Sequence, residues 1–369
     1  MKIVNIVTQM EAAGAQQVAI NIAAILRNKG YEAEVWFLYL KRPAYNGYKG
    51  VRVIFNRKPS TIIDYILIFW SLIRLMHRQR PKVVITHTYY ANILGQVAAY
   101  LFGVQARLAV QHNPSYTYPK IAKILDHAIG NLGFYKRNIV VSRAVSNSFD
   151  SYSALYKKRC TLIYYGIPAL KLTLDQEKAR SQFGLPLKSS LIVNVGRLAA
   201  QKNQSLLIRL LKRLPDVQLA IAGEGELRSV LEGEARSLGV FDRVFFLGEI
   251  PPEEIGNFLL TGDVFIFPSV YEATGLAMVE AMQIGLPVIA SDVPGIREVL
   301  EEEDGSLAGV LVDPEDENGF CEAVKKILKD IEFANLLANR LKARANLYCV
   351  TQMVDNYEQC FLELLNKVG

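Results

Sequence analysis

Two glutamates, Glu272 and Glu280, stand eight positions apart in the run Phe265–Leu300, FIFPSVYEATGLAMVEAMQIGLPVIASDVPGIREVL. An apolar strand pattern ends at Pro268. Glu272 follows in the loop, Gly275 and Leu276 open a helical pattern, and Glu280 lies one turn further in. Free backbone N–H groups at a helix start can bind a phosphate or hydroxyl oxygen. Each carboxylate can accept hydrogen bonds from hydroxyls, one from a sugar and the other from a ribose. Taken alone, two glutamates there also fit a solvated helix face. Upstream, Arg197 and Lys202 follow another strand pattern in NVGRLAAQKN. Two cations past a strand end suit a diphosphate and the charge that grows as such a group leaves, although solvated cations are common at helix starts. Gly223 and Gly225 in IAGEGELR shape a tight strand-to-helix turn. His112 in VQHNPS follows a strand, as His87 does in VVITHT, while His77 and His127 have weaker claims. A lone histidine is more often structural than functional.

The elements that must position these residues alternate between short apolar runs and helical patterns, the signature of βαβ units and a parallel sheet. The first half offers strands over Lys2–Thr8, Glu34–Leu40, Val51–Phe55, Lys82–His87, Arg107–His112 and Asn138–Ser142, with a last one near Cys160–Pro168. Helical patterns such as Gly14–Asn28 and Ile62–Gln79 lie between them. A second series has strands over Ser190–Val195, Gln218–Ala222, Val244–Leu247, Val264–Pro268, Val288–Ser291 and Gly309–Val312. The expected fold is α/β: two doubly wound Rossmann-like domains facing across a cleft, with ligands outside the carboxyl ends of the strands. The expected boundaries are a first domain over 1–168, a polar linker over 169–188, a second domain over 189–349, and a terminal helix over 350–369 returning to the first domain.

Composition narrows the class further. The chain has 369 residues, 51% of them hydrophobic and 21% charged, which excludes disorder. The net charge of +6 is an average of unlike halves: residues 1–170 hold 22 Lys+Arg and 6 Asp+Glu, whereas residues 171–369 hold 20 and 30. A net of +16 in the first half suits an anionic partner. Its cations gather in KRPAYNGYK and RLMHRQRPK, with Tyr45, Tyr48, Trp70, Tyr89 and Tyr90 interleaved, a mixture that suits a membrane interface or single-stranded nucleic acid. The run Ile62–Met76 is the most apolar, but Asp64 and Arg74 bound an uncharged stretch of nine residues, too short to span a bilayer. Cys160, Cys321, Cys349 and Cys360 form no CxxC pair, which fits a reducing cytoplasm. The start, MKIVNIVTQMEAAG, reads as a first strand rather than a signal peptide.

The run from Glu272 to Glu280, followed by EAM, Gly, PV and a Gly-Ile-x-Glu turn, resembles the E-x7-E signature of the retaining family 4 glycosyltransferases, which have the GT-B fold. NVGRLAAQKN resembles that family's GRL-x3-K element, IAGEGELR its AG-x-G-x-L segment, and VFFLGEIPPEEI its FLG strand end. The first half is similar more loosely. Ala13 and Gly14 stand where the family shows Gly-Gly, Tyr165 stands where Asn is usual in LIYYGIP, and Ala273 and Thr274 replace Gly and Phe before Gly275.

The resemblance implies transfer of a sugar from a nucleotide-diphosphate sugar, with a UDP-sugar such as UDP-glucose expected and a GDP-sugar second. It implies His112, Glu272, Arg197 and Lys202 as catalytic residues. Gly14, Arg197, Lys202, Glu249, Ile250, Thr274, Gly275, Leu276 and Glu280 are expected to bind the donor. No cofactor and no metal are expected. The acceptor is expected to be a glycan or lipid-linked molecule of cell-surface polysaccharide or glycolipid synthesis. The basic first half is expected to meet anionic membrane at its cytoplasmic face. A soluble sugar-phosphate acceptor and a sugar-nucleotide epimerase are the alternatives. No nucleic-acid motif is present, and no nucleic-acid partner is expected.

Overall fold

The structure is a computed structural model that describes residues 1–11, 13–45, 47–272 and 274–366. It divides into two compact units, one of residues 1–166 with the stretch from Cys349 onward, the other of residues 167–348.

Unit 1 is built on seven strands: β1 (Lys2–Met10), β2 (Glu32–Leu40), β3 (Val51–Phe55), β4 (Val83–His87), β5 (Ala106–Gln111), β6 (Arg137–Val140) and β7 (Cys160–Leu162). All pair in parallel, in the order β3-β2-β1-β4-β5-β6-β7. Its helices are α1 (Gly14–Asn28), α2 (Ile62–Gln79), α3 (Tyr89–Leu101), α4 (Lys120–Asn131), α5 (Arg143–Asn147) and α6 (Ala154–Lys157). The central strands β1, β4 and β5 are buried along nearly their whole length and mostly apolar, because helices cover both faces of the sheet. Trp36 and Leu38 of β2, Val84 of β4, and Ile68, Leu72 and Met76 of α2 join one buried cluster. β1 runs two residues past the expected Thr8, because β2 continues beside it and Met10 pairs with Leu40. A capping box starts α2: the Thr61 side chain accepts from Asp64 N at 3.2 Å, and the Asp64 carboxylate accepts from Thr61 N.

Unit 2 holds β8 (Ser190–Val195), β9 (Val217–Ala222), β10 (Val244–Gly248), β11 (Val264–Phe267), β12 (Val288–Ser291) and β13 (Val310–Val312), all parallel in the order β10-β9-β8-β11-β12-β13. Its helices are α7 (Gln176–Gln182), α8 (Gln204–Leu211), α9 (Arg228–Ser237), α10 (Ile255–Leu260), α11 (Leu276–Ile284), α12 (Pro294–Leu300), α13 (Glu317–Lys329) and α14 (Ile331–Ala345).

The stretch 169–188, expected as a linker, belongs to unit 2 and carries α7. The Asp175 side chain caps that helix by accepting from Lys178 N at 2.9 Å. The buried Arg180 donates to Thr261 O at 2.8 Å and to Asp263 Oδ2 at 2.9 Å, which anchors the segment. A polar composition there reflects these internal partners rather than a free tether.

The last helix, α15 (Val350–Asn366), packs back on unit 1. Its buried face carries Met353, Val354, Tyr357, Phe361 and Leu364. The Tyr31 hydroxyl donates to Glu358 Oε1 at 2.6 Å, Lys29 pairs with Asp355 and Glu358, and the Tyr31 and Phe361 rings meet edge to face at 5.8 Å. Among the described residues no helix is long and apolar enough to cross a membrane.

In each sheet the strand order reverses once, between β1 and β4 in unit 1 and between β8 and β11 in unit 2. Loops leaving the carboxyl ends of two such strands diverge to opposite faces of the sheet, and the crevice between them is where doubly wound folds take their ligands.

Candidate functional site

In unit 2 the expected residues flank this reversal point. β8 ends at Val195, and Gly196, Arg197 and a single 3-10 turn, Ala200–Lys202, follow. Across the crevice β11 ends at Phe267 and its loop leads to Glu272. The two loops are tied together. Val270 N donates to Gln201 O at 2.9 Å, and the Gln201 amide donates to Tyr271 O at 2.9 Å and to Glu272 Oε1 at 3.4 Å. The Lys202 ammonium pairs with the Glu272 carboxylate and lies 4.9 Å from the Phe267 ring centroid. Arg197 is exposed, and its guanidinium has no hydrogen-bond or ion-pair partner among the described residues. One cation of the expected pair is therefore held by a carboxylate and the other is free.

The floor of the crevice is backbone. Gly223 has φ +138, and a Cβ there would stand 2.1 Å from Gly196 O. Its N–H donates to Gly248 O at 2.7 Å. Leu198 N donates to Glu224 O at 3.0 Å, so three strand ends are joined by main-chain contacts. Gly223→Ala is expected to cost about 2 kcal/mol, because it adds both a steric clash and a disfavoured φ. Thermal unfolding checks this, and a melting temperature equal to the parent's would contradict it. Glu249, exposed, and Ile250, half-buried, come directly after Gly248.

Helix α11 begins at Leu276 after Gly275, whose φ of 76 and close approach to the Phe267 ring leave no room for a side chain. Among the described residues no side chain caps this helix; Met278 N donates to Gly275 O at 2.9 Å, and the N–H groups of Leu276 and Ala277 are left without a cap. Thr274 is buried. Its neighbour Ala273, a departure from the family pattern, lies outside the described residues. Four buried side-chain oxygens around these strand ends, on Asn194, Ser269, Thr274 and Ser291, have no hydrogen-bond partner among the described residues. Such groups carry a cost unless water or a ligand meets them. Glu280, half-buried on α11, likewise has no hydrogen-bond or ion-pair partner among the described residues, and burial pushes its carboxyl up to about 7. No group of three His, Cys, Asp or Glu residues is placed to hold a metal ion among the described residues.

Unit 1 gives a different picture of its two expected residues. Gly14 starts α1 after an extended Ala13, and among the described residues no side chain caps the first turn. His112 follows β5 but is 4% exposed, and both its ring nitrogens have partners within the unit. His112 Nε2 meets His87 Nδ1 at 3.0 Å, His87 Nε2 meets Asn5 Oδ1 at 3.1 Å, and the Tyr165 hydroxyl meets His112 Nδ1. Burial holds His112 down at about 3 and His87 well below the usual histidine range, so both are neutral. Each neutral imidazole therefore donates from one ring nitrogen and accepts at the other along the chain Asn5, His87, His112 and Tyr165.

His112, expected to meet the donor sugar, thus already has a partner at each ring nitrogen within the unit. Tyr165→Phe is expected to lower the unfolding free energy by about 1–2 kcal/mol, since it leaves a buried ring nitrogen bare. It should also shift the His112 Nδ1 resonance in nitrogen NMR. An unchanged resonance would mean the bond is absent.

Sequence reasoning missed His87, Tyr165 and Asn5 as a connected group. The signal present was weak: His87 ends a strand, and Tyr165 departs from the usual residue at its position.

Two parallel, doubly wound sheets in one chain, with phosphate-suited loops at the reversal point of the second, define the GT-B class. The model of the group 1 glycosyl transferases matches residues 175–345, and that of Glycosyltransferase Family 4 matches residues 12–169. The chain belongs to the family 4 glycosyltransferases. It is 30% identical over 226 residues to an uncharacterised glycosyltransferase of Methanocaldococcus jannaschii, covering 58% of this chain and 57% of that one. It is 28% identical over 236 residues to the N-acetylgalactosamine-N,N'-diacetylbacillosaminyl-diphospho-undecaprenol 4-alpha-N-acetylgalactosaminyltransferase of Campylobacter jejuni, covering 63% and 58%. The matches thus span somewhat over half the length of these two relatives. Among solved structures, Anabaena HepE in complex with UDP and glucose superposes with a TM-score of 0.84 at 20% identity, over 96% of this chain and 98% of that one.

Proposed function

We propose that this chain transfers a sugar from a nucleotide-diphosphate sugar, a UDP-sugar first, to a glycan or lipid-linked acceptor with retention at the anomeric carbon. The observation that carries this reading is the convergence at one reversal point of unit 2. It brings together the free Arg197, the Lys202–Glu272 pair, the uncapped start of α11 and the unpartnered Glu280. Arg197 and Lys202 stabilise the diphosphate as the bond from the anomeric carbon to its oxygen breaks. The acceptor oxygen bonds that carbon from the same face, and its proton passes to the departing phosphate. Glu280 accepts from the ribose hydroxyls. Glu272 and the backbone over 274–276 hold the sugar, and Glu249 and Ile250 meet the base. The two cations take the place of a metal. The nucleotide of HepE and the undecaprenol-linked substrate in the name of the Campylobacter relative support the choice of donor and acceptor class.

A thermal-shift comparison of UDP, GDP and ADP, each alone and as a nucleotide sugar, tests the donor. Stabilisation that grows with UDP concentration is expected, and no response to any nucleoside diphosphate would sink the reading. Transfer assays with and without a chelator should agree. The product's anomeric proton should match the donor's configuration.

A further inference from the structure

Helix α2 is apolar on two faces. One face, with Ile68, Leu72 and Met76, is buried against the sheet. The other carries Ile62, Ile63, Ile66, Leu67 and Trp70, all exposed, with Ile62 at 81% and Trp70 at 57%. A surface helix of a soluble domain ordinarily turns polar residues outward. On α2 the outward stripe becomes polar only in its last turns, where it carries Arg74, His77 and Arg78. The one acid of the helix, Asp64, is buried, caps the helix and pairs with Arg57.

Beside this stripe, between α2 and the edge strand β3, lies a groove of about 500 Å³ lined by Arg52, Ser71, Arg74 and Arg78. Arg52 is paired with Glu34, whereas Arg74 and Arg78 have no hydrogen-bond or ion-pair partner among the described residues. Tyr65 meets Tyr90 at 5.7 Å and Tyr89 meets Tyr118 at 5.3 Å, which brings the starts of α2, α3 and α4 together. On α4, Ile121 and Ile124 are again exposed, with Lys120 beside them.

We propose that the outer face of α2 docks this chain on an anionic bilayer. Its isoleucines and Trp70 enter the headgroup–acyl boundary, and Arg74 and Arg78 receive lipid phosphates at the mouth of the groove. A two-faced helix with an aromatic anchor and flanking arginines is the form that lies in an interface. The charge selects the occupant. A second copy would set this surface against its like in a half with net +16, whereas an anionic leaflet attracts it. The inference deepens the acceptor side of the function proposed above and rests on it for the relevance of a lipid surface.

The chain reports on itself. It has two tryptophans, of which Trp36 is fully buried and Trp70 is exposed. Vesicles of phosphatidylcholine with about one-third phosphatidylglycerol should blue-shift the emission of Trp70 and sediment the protein, and pure phosphatidylcholine should do far less. Ile66→Glu with Trp70→Phe, and separately Arg74→Glu with Arg78→Glu, should each weaken sedimentation by about tenfold or more. These side chains are exposed, and the response of each variant to UDP in the same thermal-shift assay should match the parent's. No blue shift, binding to neutral vesicles as strong as to anionic ones, or variants that sediment like the parent would overturn the proposal. So would a concentration-dependent dimer abolished by the same substitutions, which would assign the face to a second copy. Loss of the UDP response with vesicle binding intact would fault the donor assignment alone.

Discussion

Arg197→Ala is expected to lower kcat by about 10²–10³ while leaving the melting temperature unchanged. The guanidinium is exposed and has no partner among the described residues, so its removal takes nothing from the fold. In the proposed reaction the variant loses a cation preset where charge develops on a departing diphosphate, an interaction stronger in the transition state than in the ground state. Lys202→Ala is expected to fall at least as far, for a different reason. Lys202 is paired with Glu272, so its loss removes a cation and also leaves a carboxylate without its partner at 11% exposure. The cycle of Lys202→Met, Glu272→Gln and the double variant separates the two effects. The double variant should lose less than the two singles together, because neither partner is stranded in it. Steady-state kinetics with a nucleotide sugar decides. Unchanged turnover in Arg197→Ala would remove the site from the chemistry, and strict additivity would show that the pair acts as two separate groups.

Glu280→Gln should abolish a pH dependence. The carboxyl of Glu280 sits at about 7, and burial without a partner is the cause. An acid whose folded value lies above its unfolded value supports the fold when protonated. That support is whole below the unfolded value of 4.5 and disappears as pH rises through about 7. The parent should therefore lose about 1–3 kcal/mol of stability between pH 5 and pH 8 that the glutamine variant keeps, the lower part of the range reflecting the side chain's partial access to water.

Donor binding runs in the opposite sense. In the role proposed for Glu280, ribose hydroxyls donate to the ionised carboxylate, so affinity for a nucleotide sugar should rise with pH up to about 8 in the parent and stay flat in Glu280→Gln. At pH 8 the variant should bind about tenfold to a hundredfold more weakly. A nucleotide sugar is the right probe because its diphosphate, esterified at both ends, does not titrate in this range. Calorimetry at three pH values checks both slopes, and parallel profiles for parent and variant would contradict the role given to Glu280.

What the sequence made legible were the features set by short spacing. The strand patterns land within a few residues of the observed strands, and misses such as Met10 arise where a neighbouring strand prolongs the pairing. The loop from Glu272 through Gly275 into α11 could be read because its residues are close in the chain. The Lys202–Glu272 pair could not, because 70 residues separate the partners and nothing local records their meeting. Asn5, His87 and His112 lie on or just past β1, β4 and β5, Tyr165 lies just past β7, and their contact depends on the strand order, which propensity does not encode. The segment 169–188 looked like a tether because its polar groups find their partners far away, as Arg180 does at Thr261 and Asp263.

The chain passes from unit 1 to unit 2 at Gly166–Ile167 and returns at Tyr348–Cys349, with Ile167 N donating to Tyr348 O at 2.9 Å. Unit 1 is thus begun first and completed last. On the ribosome, the surface that α15 will cover around Tyr31 stays open while the 182 residues of unit 2 are made. That interval is on the order of ten seconds at ordinary elongation rates. The first unit cannot reach its final state before the second has been made, so its maturation is gated by synthesis of the second. The docking of α15 is therefore an event in time as much as a contact in space: it marks the moment at which both halves exist.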